Sequence, residues 1–173
     1  MSLERLWAGW RASYIEGIEP DGDVPPRPEG CLFGGLLAMD DAEAMILERA
    51  EHSFTVMNAY PYTSGHVMVA PLRHVASITD LDPTEAAALM HGTQRATATV
   101  ERVYAPEGIN VGVNIGRAGG AGVPGHVHVH VLPRWNGDTN FMTTVAEARV
   151  MPQHLLDTYD RLRAAFTWLD AGA

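Results

Sequence analysis

Between about residues 44 and 71 the apolar residues fall into three short segments of β character: AMILER (44–49), SFTVMNAY (53–60) and GHVMVAP (65–71). Asn58, Pro61, Ser64 and Gly65 lie between the last two, and turn residues so placed predict a hairpin. Asp82-Pro83-Thr84-Glu85 combines an N-cap aspartate, proline at the first helical position and glutamate at the third, a helix start. Leu89, Thr93, Ala96, Val100 and Val103 then repeat at helical spacing to about Tyr104, and Pro106 forbids continuation. INVGVNI (109–115) and HVHVHVLPR (126–134) alternate as strands. The end of the chain, from Pro152, reads as a helix with Leu155, Tyr159, Leu162, Phe166 and Leu169 in register.

Leu3, Trp7, Trp10 and Tyr14 make one stripe of a short amphipathic helix near the start, expected to dock on the core or on another subunit. Residues 19–30 hold four prolines and two glycines and read as an irregular loop. Antiparallel strands with one long helix and terminal helices argue for an α+β fold rather than a doubly wound sheet. At 173 residues the chain is long enough for one domain with a real core. The expected organisation is an N-terminal helix and proline-rich loop over 1–30, then a domain over 31–173.

Composition narrows the chemistry. Hydrophobic residues make up 46% and charged residues 19%, the balance of a soluble globular protein. No apolar run reaches the length of a membrane helix, and MSLERLWAGW lacks an apolar signal region, so a cytoplasmic protein without membrane contact is expected. The formal net charge of -9 argues against a nucleic-acid partner. All twelve basic residues are arginine. Lysine-dependent phosphate loops, Schiff bases and lysine nucleophiles are therefore excluded. Cys31 is the only cysteine, which also excludes an intrachain disulfide and any Cys-x-x-Cys zinc site. Eight histidines, the carboxylates and the hydroxyls remain as reactive groups.

Three of those histidines, His126, His128 and His130, occupy every second position, with Val127, Val129 and Val131 between them. On a strand the valines can then enter the core while the imidazoles share the opposite face, neighbours about 7 Å apart along the chain. The plainer reading is a solvated, histidine-rich edge strand. Two chemical readings compete with it. In one, a His-x-His pair and a third ligand hold a metal; in the other, one histidine is a nucleophile and the others handle protons and charge. No carboxylate falls within six residues of the trio, and five glycines occupy 116–125 just before it. A glycine-rich loop brings backbone N–H groups close to an anion, which favours the second reading. Gly120-x-Gly122-x-x-Gly125 imitates a dinucleotide fingerprint only by letters, since it leads into a strand and not a helix.

His126-Val-His128-Val-His130-Val-Leu132 resembles the signature of the histidine-triad (HIT) family of nucleotide hydrolases and transferases. Phe54-x-Val56-x-Asn58 and Gly65-His66-x-x-Val69-x-Pro71 look like that family's nucleotide-binding half. Asn58-x-Tyr60-Pro61-Tyr62, Arg73-His74-Val75 and the run from Pro133 to Phe141 are similar to its bacterial branch that cleaves diadenosine tetraphosphate. The Leu6-Trp7-x-x-Trp10-Arg11 start fits that branch too.

The resemblance implies a fold with an antiparallel sheet of about five strands, and a homodimer. It implies that His128 attacks the α-phosphorus of a nucleoside polyphosphate, forming a nucleotidyl-histidine that phosphate or water resolves. His130 and His66 would neutralise charge on the phosphoryl oxygens, and His126 would stand on the leaving-group side. Asn58 would bind ribose, an apolar cleft including Phe54 would stack the base, and Asn114 with Gly119, Gly120 and Gly122 would hold phosphates. The covalent steps need no cofactor on this pattern; Mg2+ would enter only with the polyphosphate substrate. Two alternatives stand beside dinucleoside cleavage: a nucleoside phosphoramidase, and a nucleotide-sensing module without turnover.

Two departures from the family pattern matter. Many members carry Cys-x-x-Cys as part of a zinc site, but here the second position is Gly34, so no structural zinc and no metal ligand set is expected. Many hydrolases carry glutamine or serine four residues before the triad, where this chain has Gly122. Of the remaining candidates, His74 reads as a structural hydrogen-bonder and His52, His91 and His154 as surface positions. Arg134 is expected to meet either phosphate or an aspartate, and Trp135 to be structural.

Overall fold

The computed structural model describes residues 30–138 and 153–170. The expected N-terminal helix, all but the last residue of the proline-rich loop, and Phe141 lie outside the described residues. Five strands form one sheet: β1 (Ile46–Arg49), β2 (Ser53–Met57), β3 (Val67–Pro71), β4 (Gly108–Val113) and β5 (Val129–Arg134). Their order is β1-β2-β3-β5-β4 and every pairing is antiparallel, so the α+β expectation holds. The helices are α1 (Leu32–Leu37), α2 (Pro83–Tyr104) and α3 (Leu155–Asp170). Among the described residues no helix is long and apolar enough to cross a membrane.

The long helix starts where its capping signals place it. Asp82 accepts from the N–H groups of Thr84 and Glu85, and Glu85 accepts from the Asp82 N–H at 3.0 Å. The same Glu85 carboxylate takes a bidentate grip from Arg73 at 2.7 and 2.5 Å, which holds its pKa down at about 2. One glutamate thereby caps the helix and pins the segment after β3. Leu89, Ala96 and Val100 of α2 are buried as their spacing predicts. Gly92 is needed there: a Cβ on it would stand 2.9 Å from the Val69 side chain, so glycine lets α2 approach β3 closely.

The sheet has two different faces. Val67, Val69, Val129 and Val131 point into a core shared with Leu89, Ala96 and Val100 of α2 and Tyr159, Leu162 and Phe166 of α3. Met68, Ala70, Phe54 and Val56 point the other way, into a smaller cluster closed by Phe33 of α1. Sequence periodicity missed α1, a single buried aromatic in a glycine-rich hexamer, LFGGLL. Cys31 caps it, its sulfur 3.5 Å from the Gly34 N–H.

The triad strand is shorter than its alternation implies. The ladder begins only at Val129, so His126 and His128 precede it. They are held by a different bond, from the Val127 N–H to the Val75 carbonyl at 2.7 Å. Ahead of the ladder the chain bends at His126 and is held there because the Arg73-anchored segment accepts it.

Val129 should therefore be intolerant of charge. Aspartate there would place an unpaired carboxylate among valines and leucines, costing on the order of 3 kcal/mol or more. Val129→Asp is expected to melt far below the parent protein or to be insoluble. A variant that melts normally and is merely inactive would contradict the two-faced strand.

Candidate active site

On the second face of the sheet the histidines form a row. His66 immediately precedes β3 and His130 lies opposite Met68 on β5. Their rings are 5.1 Å apart, and His128 follows at 4.7 Å from His130. Phe33 packs against both His128 and His126 at 5.0 Å, forming the floor. His74 stands at the far end, 5.3 Å from His126. Tyr62 stands at the near end, 4.7 Å from His66. The row is buried, with His66 and His126 at 0% and 1% exposure and His128 and His130 at 3% and 8%.

Burial drives each ring to bond through at least one nitrogen, and the partners fix the tautomers. The Tyr62 N–H donates to His66 Nδ1 at 3.1 Å, so the His66 proton sits on Nε2. From there it donates to His130 Nδ1 at 2.9 Å, which puts the His130 proton on its own Nε2. His128 is set the opposite way. Its Nδ1–H donates to the His126 carbonyl at 2.9 Å, leaving a lone pair on Nε2. His126 donates from Nε2 to the Pro71 carbonyl at 2.9 Å and accepts at Nδ1 from the Cys31 thiol, 3.0 Å away. Adjacent members of the row thus differ in role: His128 offers an electron pair and His130 offers a proton.

Removal from water also lowers the pKa of His126, His128 and His130, because burial disfavours the imidazolium. His130 falls to about 4, burial first and the neighbouring His128 second. All three are neutral at pH 7. A neutral His128 is a competent nucleophile there without a separate base.

The other expected binding residues are distributed unevenly. Asn58 holds its own loop, its Oδ1 accepting from the Tyr60 N–H at 2.9 Å and its Nδ2 lying 3.3 Å from His66 Nδ1. Asn114 donates to the Gly120 carbonyl at 3.3 Å, tying the glycine loop to the end of β4. Phe54 is 1% exposed and packs edge-on against Phe33 at 6.0 Å. Its ring supports the site from beneath and offers no open face to a base, a correction to the stacking role. Arg134 meets Asp138 through two bonds of 2.5 and 2.8 Å, the aspartate of the two expected partners. His91 and His154 are exposed and His52 is partly so, far from the chemistry in character.

Sequence reasoning missed one grouping. Cys31, His74 and His126 bring a sulfur and two ring nitrogens within 4.8 Å of one another. The signal lies in the Cys31-x-x-Gly34 and Arg73-His74-Val75 motifs, whose Cys31 and His74 are 43 residues apart in sequence. Three such donors suit a divalent ion such as zinc, but Gly34 supplies no fourth ligand. In a tetrahedral zinc site sulfur and nitrogen ligands stand about 3.5 Å apart. At 3.0 Å the Cys31 and His126 side chains bond to each other instead.

Neutral burial has a stability consequence. The unfolded His130 would titrate near 6.5, the folded one near 4. Between these values the unfolded chain binds a proton that the folded one does not, so acidification favours unfolding. The melting temperature should be highest above about pH 7 and fall as pH drops from about 6.5 toward 4. A flat profile between pH 7 and 5 in a thermal melt series would contradict neutral burial of the row.

Comparison with known proteins agrees with this geometry. The HIT domain family model matches residues 40–137. A Mycobacterium tuberculosis protein named AP-4-A phosphorylase is 38% identical over 160 residues, covering 90% of this chain and 80% of that one. A Schizosaccharomyces pombe protein named bis(5'-nucleosyl)-tetraphosphatase [asymmetrical] is 34% identical, over 55% of this chain and 52% of its own. Among solved structures, a zinc-bound histidine triad family protein from Mycobacterium smegmatis superposes with a TM-score of 0.67 at 26% identity. That match covers 83% of this chain and 98% of the other. With the triad strand, its tautomers and these matches in agreement, the chain belongs to the HIT-domain family.

Proposed function

We propose that the protein is an enzyme that cleaves dinucleoside polyphosphates of the diadenosine tetraphosphate kind through a nucleotidyl-histidine on His128. The observation that carries this reading is the His128 ring: buried and neutral, with Nδ1–H committed to a carbonyl and the Nε2 electron pair uncommitted. The name of the M. tuberculosis relative, aligned over 90% of the chain, supports the substrate class.

In the first step His128 Nε2 attacks the α-phosphorus, the N–P bond forms and the bridging P–O bond breaks. With diadenosine tetraphosphate ATP departs and adenylyl-His128 remains. In the second step a phosphate oxygen attacks the same phosphorus, releasing ADP and freeing Nε2. The His130 Nε2–H, backed by His66, hydrogen-bonds the phosphoryl oxygens as their charge grows. His126 stands toward the leaving group and holds His128 through its carbonyl. Asn58 takes the ribose. The Gly119 and Gly120 N–H groups and the Asn114 side chain are already bonded to the Gly116, Arg117 and Gly120 carbonyls, a correction to their expected role: they shape the loop and leave the Gly122 N–H for the phosphates. Phosphate must compete with water at about 55 M, which it does by being bound in place. The glycine loop, with no glutamine to position water, favours that acceptor.

The three-donor group at Cys31 lies behind His126, and no step passes through it. If zinc were held by Cys31, His74 and His126 it would brace α1 against the triad. A homodimer is the proposed assembly. β4 is an edge strand with Val111 half-exposed, so a second copy could extend the sheet there.

Incubation with diadenosine tetraphosphate, with and without inorganic phosphate, tests the reaction by nucleotide chromatography. ATP and ADP are expected with phosphate; ATP and AMP in equal amounts, unchanged by phosphate, would assign water as acceptor. His128→Asn should lower turnover about 10⁴-fold or more while leaving the melting temperature near that of the parent. Retention of a tenth of the activity would sink the nucleophile assignment. Native mass spectrometry is expected to give a mass of two chains without stoichiometric zinc; a single-chain mass, or one zinc per chain that survives chelator, would reverse either point.

A further inference from the structure

Eight arginines are the fixed side-chain cations among the described residues, and seven are committed. Arg49, Arg73, Arg95, Arg134 and Arg163 each lie within 4 Å of a carboxylate. Arg102 and Arg161 lie over the rings of Trp168 and Tyr104, at 3.4 and 5.1 Å. Arg117 is the exception. It is exposed, and among the described residues its side chain has no ion pair, hydrogen bond or ring contact.

Its position is specific. Arg117 opens the short 3-10 turn Arg117–Gly119 at the start of the loop from β4 to the triad. That loop is folded on itself: the Gly120 N–H donates to the Arg117 carbonyl at 2.9 Å and the Ala121 N–H to the Gly116 carbonyl at 3.2 Å. Its base is fixed by register, with Gly112 opposite His130 and Val113 opposite Val129. Just past that pairing, Asn114 donates to the Gly120 carbonyl at 3.3 Å, which turns the loop back on the end of β4 before the chain runs into His126 and His128. Arg117 therefore sits in the loop that joins the end of β4 to His126, the histidine assigned above to the leaving-group side.

A polyphosphate approaching this site meets a protein of net charge -9 and a row of neutral imidazoles. Hydrogen bonds from histidines and amides can hold one phosphoryl group, but a chain of three or four phosphates carries charge well beyond it. An arginine with no partner among the described residues, in the glycine-rich loop ahead of the triad, matches that need through bidentate contacts.

We propose that Arg117 is a specificity-determining residue that binds the phosphates beyond the α-phosphorus, so that the site prefers polyphosphate substrates to esters of a single phosphate. This rests on the nucleotide-cleaving reading above and names what selects its substrate. Titration calorimetry with ATP and with AMP tests it on the parent protein, Arg117→Gln and Arg117→Lys. Arg117→Gln should weaken ATP about tenfold, the worth of one exposed charge-assisted contact, and AMP less than twofold. Arg117→Lys should recover part of the ATP affinity. In turnover, Arg117→Gln should raise KM for diadenosine tetraphosphate and leave kcat/KM for adenosine 5'-phosphoramidate unchanged. Equal weakening of ATP and AMP, or no change in either, would overturn the assignment of Arg117 alone. A parent protein that binds neither nucleotide would overturn the nucleotide-cleaving reading together with it.

Discussion

The structure turns on taking four imidazoles out of water without leaving any of them charged or unpaired. An unpaired ring nitrogen in such a place costs free energy comparable to a lost hydrogen bond, and a buried imidazolium costs more. Each ring must therefore find one acceptor for its N–H or one donor for its lone pair: His130 finds it in His66, and the other three in fixed backbone groups. The Tyr62 N–H, the His126 carbonyl and the Pro71 carbonyl supply these. Because the backbone chooses the tautomers, a set of identical side chains becomes a set with distinct chemical roles. His128 presents an electron pair beside a His130 that presents a proton.

Those backbone groups stay in place because helix and sheet lock the segments that carry them. Arg73 and Glu85 tie the start of α2 to the stretch after β3. That stretch in turn receives the Val127 N–H and anchors His126 and His128 ahead of the ladder. Gly92 allows α2 to press on Val69, burying the valine face and committing the histidines to the other. Gly65, next to His66, is constrained as tightly: its φ is +83°, and a Cβ there would stand 2.6 Å from the Tyr104 ring. Packing on one side of the sheet is thus what aims the chemistry on the other.

At its Cys31 end the row closes on a thiol. His126 holds its Nδ1 lone pair toward the Cys31 sulfur and its Nε2–H on Pro71, the same tautomer that a metal at Nδ1 would require. A thiol proton fills that role at 3.0 Å. The coupling of His126 to His128 through a backbone carbonyl means that whatever sits at Cys31 bears on the orientation of the His128 ring.

The sequence by itself determined the two-faced strand, the capped long helix and the antiparallel α+β arrangement. These follow from local periodicity: alternate valines and histidines from 126 to 131, and Asp82-Pro83-Thr84-Glu85 ahead of a helical stripe, act through neighbours a few residues away. The family resemblance likewise rested on a contiguous motif. Only the tertiary structure decided which nitrogen of each histidine carries the proton, since the partners come from Tyr62, Pro71 and Cys31, up to 95 residues distant. It also decided that Phe54 is walled in by Phe33, that Cys31, His74 and His126 converge, and that Arg134 is spoken for by Asp138 while Arg117 has no partner among the described residues. Hydrogen-bond partners and burial are properties of long-range contact, and no local pattern encodes them.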